Sequence, residues 1–366
     1  MKIKKITGED CKAARSLWEE VFCEDSVEFT DYYFQQKADK NIGYVIGQEP
    51  YDAMMFRTPY HLHMKKEQRI ISYIVGVATR KECRHRGYMR NLLLHSFQEM
   101  YEEKQPFAFL MPANPAIYEP FDFRYIYERD VWKLKEGVRI EDWLETGKLT
   151  QHCVLNGLYR VSEVQKQFPN IPILDMLAEF ANEYLKKHYH VYVHRDEEYY
   201  EMQMKESRAQ KGDIYAVFEQ GEITAFFLYA KEGNEVFIQE VIEAEEGILH
   251  FLQKEEKKKP VIMARIIHLE EMMKQVCSKE YRKFTIKIED DLIPRNAGIY
   301  DWEITPNGSR VIRLQQSADG ELKAAQINEP GEKKVPLKQE NEARISMHIC
   351  DLAEQILTGV FINEIV

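Results

Sequence analysis

Arg84-His85-Arg86-Gly87-Tyr88-Met89 sets two arginines and a glycine between an apolar run and a helical pattern. The run before it, Ile70 to Ala78, is long enough for one buried strand, and after it Met89, Leu93, Phe97 and Met100 recur at helical spacing. A helix beginning here leaves its first N–H groups pointing outward, with the positive end of its dipole behind them. Gly87 lets the main chain come close to a ligand, while Arg84 and Arg86 add cationic donors. The chemistry of such a loop is phosphate binding. A plain strand-to-helix connection with surface arginines uses the same residues, so the hexapeptide alone leaves both readings open.

The elements that must position this loop follow from periodicity. Cys11 to Phe22 predicts a helix, with Ala14, Leu17, Trp18 and Val21 on one face. Asn41 to Ile46 and Ala53 to Leu62 predict successive strands joined by Gln48-Glu49-Pro50-Tyr51. A strand over 70–79, a helix over 88–102 and an apolar strand Phe107 to Met111 complete the pattern, and Pro112 and Pro115 stop the last strand. This first unit is expected to close near residue 135.

The middle of the chain repeats part of that plan. A helix is predicted over Ile173 to Lys187, a hairpin over Asp213 to Tyr229 and a strand over Glu235 to Ile242. The loop that follows, Glu243-Ala244-Glu245-Glu246-Gly247, is acidic and would repel a pyrophosphate. Glu255-Glu256-Lys257-Lys258-Lys259-Pro260 reads as a charged linker. Beyond it a third unit is expected, with a helix over Leu269 to Val276 and strands near 283–288, 299–304 and 311–314. A helix over Ser346 to Leu357 and the apolar tail Gly359 to Val366 finish it. The overall reading is a mixed α/β chain of three units, at 1–135, 136–260 and 261–366. A tail of Phe361, Ile362, Ile365 and Val366 is expected to pack inside rather than fray.

Composition narrows the function classes. The chain has 366 residues and a formal net charge of −11, which argues against a nucleic-acid partner and is compatible with a cationic substrate. No apolar run reaches the ~20 residues of a membrane helix, and Met1-Lys2-Ile3-Lys4-Lys5 leads into charged sequence, so a cytoplasmic location is expected. The six scattered cysteines form no C-x-x-C pair, which favours reduced thiols. His188, His190 and His194, like His61 and His63, alternate as on a half-exposed strand, and no metal is expected from their spacing. Cys83 beside the loop is read as a packed strand-end residue rather than a reactive thiol.

Val77-Ala78-Thr79 followed by Arg84-x-x-Gly87 resembles the acetyl-coenzyme A signature (R/Q-x-x-G-x-G/A) of the GNAT acetyltransferases. Pro112-Ala113-Asn114 and Ile117-Tyr118-Glu119-Pro120-Phe121-Asp122-Phe123 resemble the IY-x-x-FGY stretch of the enhanced-intracellular-survival (Eis) branch. Met89 stands where the GNAT motif has its last Gly or Ala, and Asp122 replaces the usual Gly between two aromatics, which loosens the placement of Tyr118. The resemblance implies tandem GNAT-like domains, the second degenerate, then a sterol-carrier-protein-like domain. It further implies acetyl-coenzyme A as donor, held by Val77, Thr79, the backbone of Arg84, His85, Arg86, Gly87, Tyr88 and Met89, and Asn114.

By the same resemblance Tyr118 is the general acid and the carboxylate of Val366 the general base. Glu364, and Asp25 or Glu24, are candidates to supply negative charge to a cationic amine. An aminoglycoside, a polyamine or a lysine side chain is the implied acceptor, and members of the branch are oligomers, often hexamers. The reading from another class is a non-catalytic protein whose last domain holds an apolar ligand. Arg84, Arg86, Gly87 and Tyr118 together favour catalysis, because a carrier has no use for them.

Overall fold

The computed structural model describes residues 2–65, 67–140, 155–233, 235–316, 322–324 and 344–364. Cys153 and Val366 lie outside these residues. The first third of the chain forms β1 (Ile3–Thr7), α1 (Arg15–Val21), α2 (Val27–Tyr32), β2 (Ile42–Ile46), β3 (Ala53–Met64), β4 (Glu67–Thr79), α3 (Tyr88–Glu102), β5 (Phe107–Leu110), β6 (Arg124–Arg129) and β7 (Trp132–Leu134). The expected first helix splits into a 3-10 turn at Gly8–Ala14 and α1. The expected strand at 70–79 is three residues longer at its start.

The middle third forms β8 (Gly157–Arg160), α4 (Val161–Gln167), α5 (Ile173–His188), β9 (Val191–Val193), α6 (Glu197–Ala209), β10 (Asp213–Glu219), β11 (Glu222–Glu232), β12 (Glu235–Glu243) and β13 (Leu252–Lys254). The last third forms β14 (Lys259–Ile266), α7 (Leu269–Gln275), β15 (Arg282–Glu289), β16 (Gly298–Thr305), β17 (Gly308–Gln316), β18 (Leu322–Ala324), β19 (Arg344–His348), α8 (Ile349–Ile356) and β20 (Val360–Phe361). The helix expected from Ser346 begins only at Ile349; Ser346, Met347 and His348 pair with β15 as a parallel strand instead.

The largest sheet runs β1-β2-β3-β4-β5-β14-β6. Its order corrects the expected linker: Lys259 and Pro260 belong to a strand, and that strand lies between β5 and β6 of the first unit. The run Val261 to Ile266 is buried at every position, as a strand flanked on both edges requires, and the periodicity of the linker gave no sign of it. β9 takes up the edge of β3 that β2 leaves, pairing Leu62, His63 and Met64, and β20 pairs β9 in parallel. One sheet therefore holds strands from all three thirds of the chain. Two further antiparallel sheets, β12-β11-β10-β8 and β18-β17-β16-β15-β19 with β19 parallel to β15, follow, as does the small pair β13-β7.

Packing explains why these elements form. On α3 the residues Leu92, Leu93, Ser96, Phe97 and Met100 make one buried face. Arg57, fully buried in β3, donates to Glu103 Oε1 and Oε2 at 3.0 and 3.2 Å and so ties the end of α3 to the sheet. α5 buries Leu174, Leu177, Ala178, Ala181 and Leu185 at the same spacing. In the last third Leu269, Met272 and Met273 of α7 and Ile349, Leu352 and Ala353 of α8 join one core with Ile286, Ile288, Tyr300, Trp302 and Ile304 of the sheet. The apolar tail packs as expected through Ile362, with Val360, Phe361 and Ile362 all buried.

Candidate functional site

β4 and β5 run parallel and are joined only at Ser72–Ala108 and Tyr73–Phe109. Past Tyr73 the two strands separate, so the edge of β4 from Ile74 onward is not paired with β5. A V-shaped opening at the carboxyl ends of parallel strands is where an α/β sheet can admit a ligand between its own backbone groups. On its other side β4 carries a bulge, because the register to β3 shifts between Met54–Ala78 and Phe56–Val75. Gly76 allows it: its φ is +61°, and a Cβ there would lie 2.6 Å from the Trp18 ring. Val77 and Thr79 follow on the free edge, half-buried.

The loop after β4 then turns into α3. His85 has φ +60°, and Gly87, at φ +77° and ψ +13°, is the residue before the helix. No side chain caps this helix start, so its first N–H groups lack the partner that a Ser or Asp would provide. Asn91 Nδ2 donates to Gly87 O at 2.7 Å and holds the turn from behind. Arg84, His85, Arg86 and Gly87 are exposed, and Arg84 Nε donates to Thr79 O at 3.2 Å, tying the loop to the strand end. Tyr88 and Met89 are half-buried and pack on the core beneath α3. The loop thus has the form of an anion cradle. Burial raises the Cys83 thiol, as fits a packed residue.

Pro115 starts one short 3-10 turn and Pro120 is second in the next, Glu119–Phe121, with Tyr118 between the two. Its hydroxyl is pushed up to about 12 by burial, which keeps it protonated through the neutral range. Asn114 uses its Oδ1 to cap the first turn, accepting from Ala116 N at 3.1 Å. Asp122 stands at φ +63°, the left-handed region that glycine would favour. Asp is among the few side chains that tolerate it, and Phe121 N and Phe123 N still donate to Tyr118 O at 2.9 and 3.4 Å. The replacement therefore leaves the Tyr118 turn intact. Arg265, fully buried in β14, secures it from below by donating to Phe121 O at 3.0 Å and Asp290 Oδ1 at 2.7 Å.

A buried cluster of acids and tyrosines faces the same sheet. Glu364 Oε1 accepts from Tyr199 OH at 3.2 Å, while Oε2 has no partner. Burial pushes the Glu364 carboxyl up to about 7; Glu240 and Glu206 add to this, and Arg195 and Lys37 oppose it. Lys37 pairs with Glu206 at 2.5 Å, and Arg195 holds Glu240 through two bonds of 2.5 and 2.7 Å. With those two pairs closed, Glu364 is the acid left over. Tyr60 and Tyr73 are raised first by burial and then by Glu364 and Glu206, and Tyr73 feels Tyr118 as well. The cluster therefore reaches the base of the V. A small polar cleft beside it is lined by Tyr199, Gln203, Glu206, Leu228, Gln239, Glu240 and Asn363.

The candidate residues fall into two groups. Val77, Thr79, Arg84 to Met89, Asn114 and Tyr118 belong to β4, the loop and the turns around one sheet end. Asp25 is held by Trp18, whose Nε1 donates to its Oδ2 at 2.8 Å, and burial raises its carboxyl. Sequence reasoning missed Tyr199 and Glu206, which sit on α6. Their signal was present in the cap Asp196, in Glu197 and Glu198 in the first turn, and in Tyr200, Met204 and Ser207 at helical spacing.

Residues 2–126 match the acetyltransferase (GNAT) domain family. No curated protein matches the chain in sequence. Among solved structures, a probable N-acyltransferase of unknown function from Enterococcus faecalis is 16% identical, with 85% of each chain covered and a TM-score of 0.65. A GCN5-related N-acetyltransferase from Anabaena variabilis is 14% identical, again with 85% of each chain covered, at a TM-score of 0.63. Eis1 from Mycobacterium abscessus is 10% identical and aligns over 98% of this chain and 90% of its own, at a TM-score of 0.61. At such identities these likenesses speak to the fold, and the mixed α/β architecture is common to all of them.

Proposed function

We propose that this chain, whose residues 2–126 are a GNAT acetyltransferase domain, transfers an acetyl group from acetyl-coenzyme A directly to an amine, in the manner of the Eis branch. The observation that carries this reading is the opening between β4 and β5 with an uncapped helix start at its mouth. In this reading residues 1–135 are the catalytic unit, 136–260 a second GNAT-like unit without a donor site, and 261–366 a sterol-carrier-protein-like unit. The middle unit supports its part of this: after β12 the chain makes turns rather than a helix, and Glu243 Oε1 accepts from Leu249 N.

The residues present fit the donor. The amides at the start of α3, with Arg84 and Arg86, would hold its pyrophosphate, and Asn114 has its amide nitrogen free of the capping bond to assist. The free edge of β4 at Val77 and Thr79 would hold its extended arm. Acetyl-coenzyme A, when bound, supplies the activated thioester. A backbone N–H at the Gly76 bulge aimed at the thioester oxygen would stabilise the transition state by roughly 2.7–4 kcal/mol. Tyr118 keeps a proton ready for the departing sulfur, as its raised hydroxyl allows.

The amine must shed a proton, and the reading assigns that to the Val366 carboxylate. Glu364 and Asp25 supply negative charge to draw in a cationic acceptor, such as an aminoglycoside, a polyamine or a lysine side chain; the unpartnered Oε2 of Glu364 supports its part. No helix of the described residues is long and apolar enough to cross a membrane. We place the enzyme in the cytoplasm as a homo-oligomer, up to a hexamer; its mass in solution checks the assembly. The test of the activity is release of free coenzyme A from acetyl-coenzyme A with a panel of amines. Amine-dependent release with acetyl found on the nitrogen is expected; no release with any amine, despite detectable donor binding, overturns it.

A further inference from the structure

Asp122, His348 and Cys350 lie far apart in sequence but meet where α8 packs against the Tyr118 turn. His348 Nδ1 is 3.1 Å from Cys350 Sγ and 3.8 Å from Asp122 Oδ1, and the three donor atoms all fall within 4.8 Å of one another. We propose that these three side chains bind one divalent transition-metal ion of the zinc type, which clamps the turn carrying Tyr118 to the start of α8. The donors are one sulfur, one imidazole nitrogen and one carboxylate oxygen, the set that a borderline-soft ion takes. Tetrahedral zinc, with bonds of about 2.0 Å to nitrogen and 2.3 Å to sulfur, spaces those two ligand atoms roughly 3.5 Å apart. The pair observed here needs a shift of a few tenths of an ångström.

The surroundings match a metal's outer shell. Asp122 offers Oδ1 to the site while its Oδ2 takes Arg265 Nη2 at 3.5 Å, and Arg124 Nη2 donates to Cys350 Sγ at 3.2 Å. Second bonds of this kind orient first ligands and moderate the charge of a bound thiolate. Around the site Asp122, Asp290, Asp351 and Glu354 oppose Arg124 and Arg265, so carboxylates exceed guanidiniums by two before the thiol ionises. A dication answers that surplus. The site is open to entry, since the His348 and Asp122 side chains are 31% and 14% exposed.

A nucleophilic role for Cys350 fits less well. Arg124 Nη2 donates to its Sγ at 3.2 Å and the thiol points at Asp351 Oδ1 at 3.5 Å, so the sulfur is held between neighbours rather than presented to a substrate. Binding then forms the S–metal bond and releases the thiol proton to water, which makes affinity rise with pH.

The experiment uses the full-length protein, stripped of metal, with cobalt(II) and zinc(II) as probes. One equivalent of cobalt is expected to give a thiolate-to-metal charge-transfer band, displaced by zinc. Cys350→Ser should abolish the band, and Asp122→Asn and His348→Ala should each weaken binding more than about 100-fold. His194→Ala tests the other close imidazole pair, His63 Nε2 and His194 Nδ1 at 3.0 Å, and should leave binding unchanged. Should a variant fail to fold, alkylation of the native protein decides: zinc should protect Cys350 and spare the exposed Cys23 and Cys277 from any change. No band, a band that survives Cys350→Ser, or binding that follows His194 would each overturn the site, as would unprotected Cys350. Neither acetyl transfer nor donor binding enters these readouts, so they stand independently of the proposed activity.

Discussion

β4 and β12 each end a hairpin-and-strand run, yet the chain beyond them differs in every respect that an anion senses. After β4 come Arg80, Arg84 and Arg86, a glycine at φ +77° and a 15-residue helix whose start no side chain caps. β12 ends on Glu243, whose Oε1 accepts the N–H of Leu249 at 2.6 Å, and Glu245 and Glu246 follow in a turn. The neighbours differ too: β4 parts from β5 after two paired positions, whereas β12 is an edge strand whose antiparallel partner β11 stays with it from Ala225–Glu243 to Glu232–Glu235. A donor site therefore needs three things at once: an opening in the sheet, a helix start and the right charge. The middle unit keeps the strands and lacks all three.

The contrast can be broken most sharply at the chemistry. Tyr118→Phe should lower the rate of acetyl transfer by about 100- to 10,000-fold with little change in donor affinity, the range for losing a general acid. Steady-state kinetics checks this, and unchanged turnover would remove Tyr118 from the mechanism. Next in size, Arg84→Ala with Arg86→Ala should weaken acetyl-coenzyme A binding by about 10- to 1,000-fold, since a charge-assisted bond contributes roughly 1.5–3 kcal/mol. Titration calorimetry measures it, and equal affinity in the double variant would return the loop to an ordinary connection.

A third test uses the raised carboxyl of Glu364. Its folded value of about 7 lies above the ordinary glutamate value of 4.5, so the folded state binds the extra proton. Its contribution to stability is then fully present below about pH 4.5 and is lost as pH rises through about 7, by up to roughly 3 kcal/mol. Denaturant titrations from pH 5 to 8 should show this slope flattened in Glu364→Gln, and a slope unaltered by the substitution would contradict its burial as an uncompensated acid. The smallest expected effect is in the middle unit. Glu245→Arg with Glu246→Arg should leave donor stoichiometry at one per chain, because charge alone makes neither an opening nor a helix start. A second bound equivalent would collapse the comparison.

The elements nearest the donor loop were legible because their signals are local. The helix over 88–102 reads directly from Met89, Leu93, Phe97 and Met100. The bulge at Gly76 was not read, although a lone glycine inside an apolar strand run carries that signal. What else escaped was set by partners distant in sequence. Nothing within Lys259–Ile266 tells which strands it will lie between, and its charged start disguises a strand buried on both edges. The meeting of Asp122 with His348 and Cys350 depends on where α8 docks, which no spacing encodes. α6 escaped for a different reason, because its buried face is narrow and its sequence mostly polar.

The interleaving of the first sheet bears on how the protein comes into being. Translation delivers β1 to β6 early, yet β5 and β6 have no contact along their facing edges until β14 arrives more than a hundred residues later. The β3 edge likewise waits for β9, and β9 for β20. A nascent chain halted before Lys259 would present two unpaired strand edges and no Arg265 beneath Tyr118. The first sheet is thus completed only after the middle third of the chain has been made, and a shorter product lacks the framework that holds the Tyr118 turn.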